Sequence, residues 1–130
     1  MYTDIETLFL YRQYVDHPIY NYFDRKSYTI IQVKNPNNLP QSTTQFYEQY
    51  IPLFQIDEEK IVNDYLMNIN NPKITSHFIN SSHYPTDIAE FLIRYYPSMS
   101  HDWYKFYDSE VAKAAIAWCE QNHIKYKFVS

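Results

Sequence analysis

A chain of 130 residues, 45% apolar and 20% charged, with a net charge of −4, is sized and balanced for one packed core. That weak acidity excludes the electrostatic footprint selected by nucleic acid or an anionic membrane surface. Glycine is absent, which excludes a P-loop, a dinucleotide-binding fingerprint, the strained serine turn of α/β-hydrolases and an EF-hand loop, because each needs glycine where the backbone bends or meets a ligand.

In chain order, Thr3 to about Tyr14 is predicted to be helical. Thr3 and Glu6 have the spacing of a capping box, and Ile5, Leu8 and Phe9 form the apolar side. The pattern then changes period. Ile19–Phe23 and Tyr28–Val33 are β-branched and aromatic and flank "DRKS", which predicts a hairpin. The stretch "KNPNNLPQSTTQ" is a loop, and Ile51 to Phe54 a short third strand. Asp57 should cap a helix whose apolar face is Ile61, Val62, Tyr65, Leu66 and Ile69, with Ile56 and Ile61 as a staple. "NNP" stops it. Ile74–Ile79 is a short helix.

"PTDIAEFLIRYYP" is a proline-bounded helix with a thin polar stripe of Asp87, Glu90 and Arg94. From Ser109 to Gln121 the polar stripe is again narrow: Glu110, Lys113, Ala117 and Glu120, flanked by Gln121. Helices apolar nearly all round are buried ones. Asp108 is expected to cap this last helix and so to separate "HDWYKFY" as its own turn. The core is expected to hold Leu8, Tyr65, Leu66, Phe91, Leu92, Trp103, Val111, Ala115 and Trp118. The tail "IKYKFV" alternates with period two and is expected to add a strand, over 124–129, to the hairpin. With no glycine, left-handed backbone positions should fall to Asn or Asp in "NPNN", "INNP", "INSS" and "QNHI". These elements describe a single α+β domain over 1–130: a small antiparallel sheet near 19–33, packed against several helices.

The second half resembles a small group of bacterial proteins known as uncharacterised protein family 158. The likeness lies in "YIPLFQIDEEKIVNDYL", then "DIAEFLIRYYP", then "DWYKFYDSEVAKAAIAWCEQNHI", with the hairpin "YFDRKSYTIIQV" ahead of them. The family commonly has glycine at that hairpin turn, where this chain has Lys26 and Ser27. The resemblance implies an α+β fold and brings no activity with it.

Site residues are sparse. Cys119 and His123 are spaced for two metal ligands on a helix, but a zinc site needs three or four, and no second cysteine exists. Cys119 lies on an apolar face, the wrong setting for a nucleophile. His77, His83 and His101 are scattered, and the acidic residues at helix starts are explained by the helix dipole. No catalytic residue, cofactor or metal ligand is therefore assigned. The lysines of the tail alternate with aromatics as in single-strand binders, yet lysine on an edge strand also guards against aggregation, and the net charge speaks against nucleic acid. What remains is a protein-interaction domain that binds another protein or itself. Its expected contact residues are Arg94, His101, Asp102 and Tyr104, at the rim of the buried face of "HDWYKFY". A small enzyme of unidentified type is the third reading. No apolar run approaches the roughly 20 residues that span a bilayer, the acidic N-terminus does not read as a secretory signal, and a lone cysteine suits the cytoplasm. The bias toward Asn, Ile, Lys and Tyr points to an AT-rich bacterial or phage genome.

Overall fold

The computed structural model describes residues 1–15, 21–32, 48–78 and 85–128. The loop expected at 34–45, the "INSS" turn and His83 lie outside them, as do Ile19 and Val33 at the hairpin ends. The fold is α+β, with five α-helices and a three-stranded antiparallel sheet among the described residues. Contacts group it into two compact units: Met1–Ile56 with Val111–Ser130, and Asp57–Glu110.

In the first unit, strand β1 (Thr3–Asp4) leads directly into helix α1 (Ile5–Leu10). Asp4, not Thr3, caps this helix. The Thr3 N–H is taken by the Lys125 carbonyl at 2.9 Å, which holds Thr3 extended, so the Asp4 carboxylate is left to accept the Glu6 N–H at 3.0 Å. The helix also ends earlier than predicted. Arg12 curls back to donate to the Phe9 carbonyl at 2.8 Å, and the chain enters β2 (Gln13–Tyr14). That strand pairs in parallel with β6 (Gln55–Ile56).

The expected hairpin forms from β3 (Asn21–Asp24) and β4 (Thr29–Gln32), and β5 (Tyr50–Pro52), near the predicted third strand, joins β3 on its other side. The tail strand β7 (Tyr126–Lys127) does form, but it pairs in parallel with β1 rather than with the hairpin. The residue before it meets the hairpin turn, where the Lys125 N–H donates to the Tyr28 hydroxyl at 3.3 Å. Alternation predicts that a strand exists and says nothing about its partner. Phe23 is fully buried and stands at the centre of this unit, with the Tyr28 ring edge-on at 5.2 Å and Trp118 edge-on at 5.7 Å.

In the second unit, Asp57 caps helix α2 (Glu58–Ile69) as expected, accepting the Lys60 N–H at 3.1 Å. Ile61, Val62, Tyr65 and Leu66 are its buried face, and Ile69 is partly covered. Asn70 ends it in a left-handed conformation, and Asn71 caps α3 (Pro72–His77). Helix α4 (Pro85–Tyr95) follows, then a 3₁₀ turn at Pro97–Met99.

Helix α5 (Ser100–Gln121) is continuous over 22 residues, so Asp108 does not cap a separate helix. Nothing between Ser100 and Gln121 breaks a helix, and the roughly 1 kcal/mol of a cap does not outweigh an uninterrupted backbone ladder. Trp103 is buried in the second unit, and Val111, Ala115, Trp118 and Cys119 in the first. Lys113, Ala117, Glu120 and Gln121 are exposed, as the narrow polar stripe requires.

The missing glycines leave a trace in the backbone. Three described residues have positive φ: Tyr28, Asn70 and His123. Only one of them is asparagine. His123 closes α5 in a Schellman arrangement, with the Ile124 N–H bonded to the Cys119 carbonyl at 2.8 Å and its own N–H to Glu120 at 3.3 Å. Its side chain is exposed. Left-handed backbone costs a residue with a Cβ roughly 1–2 kcal/mol, while glycine loses part of that gain through the freedom of its unfolded chain. His123→Gly is therefore expected to stabilise the protein by about 0.5–1 kcal/mol in denaturant titrations. A destabilised variant would mean that the imidazole is held by more than its backbone.

Candidate functional site

A cleft of about 450 Å³ lies in the second unit. It is built from one helix face and one helix end. On α4, Ile88 and Leu92 are buried one turn apart. Asp87, Glu90, Phe91, Arg94 and Tyr95 recur at i, i+3, i+4, i+7 and i+8, so they share the flank beside that buried stripe and line the cleft. Opposite stands the end of α3. Asn71 fixes this short helix by accepting from the Lys73 and Ile74 N–H groups at 3.1 and 3.4 Å, and Ile74 is buried beneath it. The helix then delivers His77 and Phe78 to the cleft.

The rings are ordered around Phe91. The His77 imidazole stacks on it with centroids 4.2 Å apart and planes 26° from parallel. Phe78 meets it edge-on at 5.2 Å, and Tyr95 lies tilted at 5.0 Å. Phe91 is thus a half-buried cleft wall, not the core residue expected from its helix position. Nor is α4 covered nearly all round: Ile93 is 56% exposed and Tyr95 58% exposed. The thin polar stripe overstated the burial, because apolar residues outnumber what one packed face can use.

Of the four expected contact residues, Arg94 lines this cleft, its guanidinium 5.6 Å from the centre of the Tyr95 ring. His101, Asp102 and Tyr104 stand exposed on the first turns of α5 and are not among the lining residues. Tyr104 is 48% exposed while its neighbour Trp103 is 1% exposed. The Tyr107 ring lies 5.8 Å from Trp103, and its hydroxyl donates to Glu58 at 2.9 Å. Sequence reading singled out Asp87 and Glu90 only as part of a solvated stripe, and Arg94 both as part of that stripe and as a contact residue. The signal for the cleft was Phe91 and Tyr95 interleaved with those charges at the same helical spacing. His77 had no such signal, because its placement depends on how α3 and α4 pack.

Among the described residues Cys119, Tyr65, Tyr126 and Asp24 carry shifted pKa values, and none of these four lines the cleft. Burial, with Glu120 adding to it, pushes the Cys119 thiol up to about 11, so it is a neutral, inert thiol at pH 7. Burial, with the Asp102 charge, raises Tyr65, whose hydroxyl is enclosed against Trp103 and Phe106 with no hydrogen-bond partner among the described residues. Tyr126 is raised by its hydrogen bond to Glu120. Burial works to raise Asp24, but donors from Lys26, Gln49 and Ser27 prevail and lower it. Each shift has a structural cause, and those of Cys119 and Tyr126 share the Glu120 carboxylate. No group of three or more His, Cys, Asp or Glu side chains converges as a metal site among the described residues. Cys119 is buried while His123 is exposed, so the pair does not present two ligands to one point.

Comparison with known proteins agrees with the resemblance read from the sequence. The model of the uncharacterised protein family UPF0158 matches residues 22–130. The chain belongs to that family. No curated protein and no solved structure matches it. The matched span of this UPF0158 member starts at Tyr22, the second residue of β3, and contains the rest of the three-stranded sheet, the cleft and all of α5. Strands β1 and β2 and helix α1 precede it. The family's function is uncharacterised. No helix among the described residues is long and apolar enough to cross a membrane.

Proposed function

We propose that this UPF0158 chain is a non-catalytic protein-binding domain of the bacterial cytoplasm, and that Arg94, His101, Asp102 and Tyr104 belong to its contact surface. The observation that carries the reading is Tyr104. It offers nearly half of its surface to solvent from a helix anchored one residue earlier by buried Trp103. An aromatic held this way loses little conformational freedom when a partner covers it, and Tyr and Arg are the residues enriched at binding hot spots. The cytoplasmic setting is supported by the lone, buried Cys119. The tail is a weaker candidate for nucleic acid, because the net charge of the chain is −4 and the Tyr126 hydroxyl is engaged by the Glu120 carboxylate at 3.2 Å.

The test is affinity capture from the source cell with the parent chain, Tyr104→Ala and Arg94→Ala. Both side chains are exposed, so both variants should melt within about 0.5 kcal/mol of the parent. A partner retained by the parent and lost from both variants supports the surface. Equal retention by all three removes it, and turnover of a substrate by the purified chain removes the non-catalytic reading.

A further inference from the structure

We propose that the cleft on α4 receives an arginine side chain from a segment of a partner protein. This rests on the protein-binding reading above and gives its partner a chemistry. Three observations favour a cation. The rings of His77, Phe91 and Tyr95 line the cleft, and the face of a Phe or Tyr ring is the negative end of its quadrupole. The described lining of the cleft holds two carboxylates, Asp87 and Glu90, and one guanidinium, Arg94. Finally, Glu90 has no hydrogen bond or ion pair with any described residue. Arg94 stands one turn further on, at the spacing where such pairs form, but its guanidinium lies over Tyr95 instead.

Arginine fits this arrangement better than lysine. Its planar guanidinium stacks on aromatic faces and forks onto a carboxylate at once, whereas an ammonium is a strongly hydrated point charge. Stacked against the His77–Phe91 pair, an incoming guanidinium has the Glu90 carboxylate as its counter-ion. Arg94 over Tyr95 already shows the same chemistry within the chain. A cleft of about 450 Å³ has room for one such side chain and its flanking backbone. An acidic side chain meets two carboxylates and the rings, with the Arg94 guanidinium turned to Tyr95.

The experiment is an NMR titration of the full isotope-labelled chain with a blocked Ala-Ala-Arg-Ala-Ala peptide and its citrulline, lysine and glutamate counterparts. Citrulline keeps the shape of arginine and removes the charge. The arginine peptide should shift the resonances of His77, Glu90, Phe91 and Tyr95, and the citrulline peptide should bind at least about fivefold more weakly. Glu90→Gln and Tyr95→Ala, both at exposed positions, should each weaken the arginine peptide by about the same factor. Equal binding of arginine and citrulline, preference for glutamate, or no shift at the cleft overturns the proposal. If the arginine peptide fails while a captured partner still depends on Tyr104 and Arg94, only the cleft assignment falls. If the peptide binds and no partner depends on Tyr104, the cleft stands and the α5 surface falls.

Discussion

Trp118→Ala is expected to cost about 3–5 kcal/mol of stability, the range for a large aromatic truncated in a core. The side chain is 7% exposed and touches three different parts of the first unit. Its ring stands edge-on to Phe23 at 5.7 Å and tilted to Phe54 at 6.3 Å. Its Nε1–H donates to the Pro52 carbonyl at 2.9 Å, so it also ties α5 to the edge strand β5. Alanine removes the ring, opens a cavity beside Phe23 and leaves a partly buried carbonyl without its donor. Urea unfolding followed by circular dichroism measures the loss, and Trp103 remains as a fluorescent probe of the other unit. Trp118→Phe should recover much of the packing and none of the hydrogen bond. A parent-like midpoint for Trp118→Ala would mean that this end of α5 is not packed as described.

How far sequence reading reached follows the range of the interactions involved. The Asp57 cap, the buried face of α2 and the stop at Asn70 are decided within a few residues, and all were legible. Trp103 and Trp118 were legible as buried because their neighbours leave each only one apolar side. Thr3 was misread because its backbone answers to Lys125, at the far end of the chain. Asp108 was misread because a cap residue marks a helix start only where something ends the helix before it. Arg94 was placed among contact residues from its position alone, and the structure gives it a cleft. Phe91 was assigned to the core by its periodicity, but the packing of α3 on α4 leaves it as a wall. Periodicity separates apolar from polar faces and does not distinguish a core from the lining of a cleft.

Gln13 is the clearest case of a residue with no local signal. Read as one more position in a first helix, it is 5% exposed and clamps three segments. Its Oε1 accepts the Asn21 N–H at 2.8 Å, and its Nε2 donates to the Leu53 carbonyl at 3.2 Å. Its own N–H reaches the Phe54 carbonyl at 3.4 Å. A buried amide is tolerated because it is satisfied on both sides. Gln13→Leu keeps the bulk and removes both bonds, so a partly buried N–H and a buried C=O lose these partners at about 1–3 kcal/mol each. The expected loss is about 2–4 kcal/mol on the same estimate, measured by urea unfolding. Gln13→Glu separates hydrogen bonding from packing. Ionised, it still accepts from Asn21 but has nothing to donate to Leu53 and carries a buried charge. Protonated, it restores both bonds. Burial raises the pKa of such a carboxyl in the folded state above its unfolded value. The group then contributes its stability below the unfolded pKa and loses it as pH rises through the folded pKa. Gln13→Glu should therefore lie close to the parent in acid and fall toward Gln13→Leu at neutral pH. A gap from the parent that does not change with pH would show that the clamp is held by shape rather than by its two hydrogen bonds.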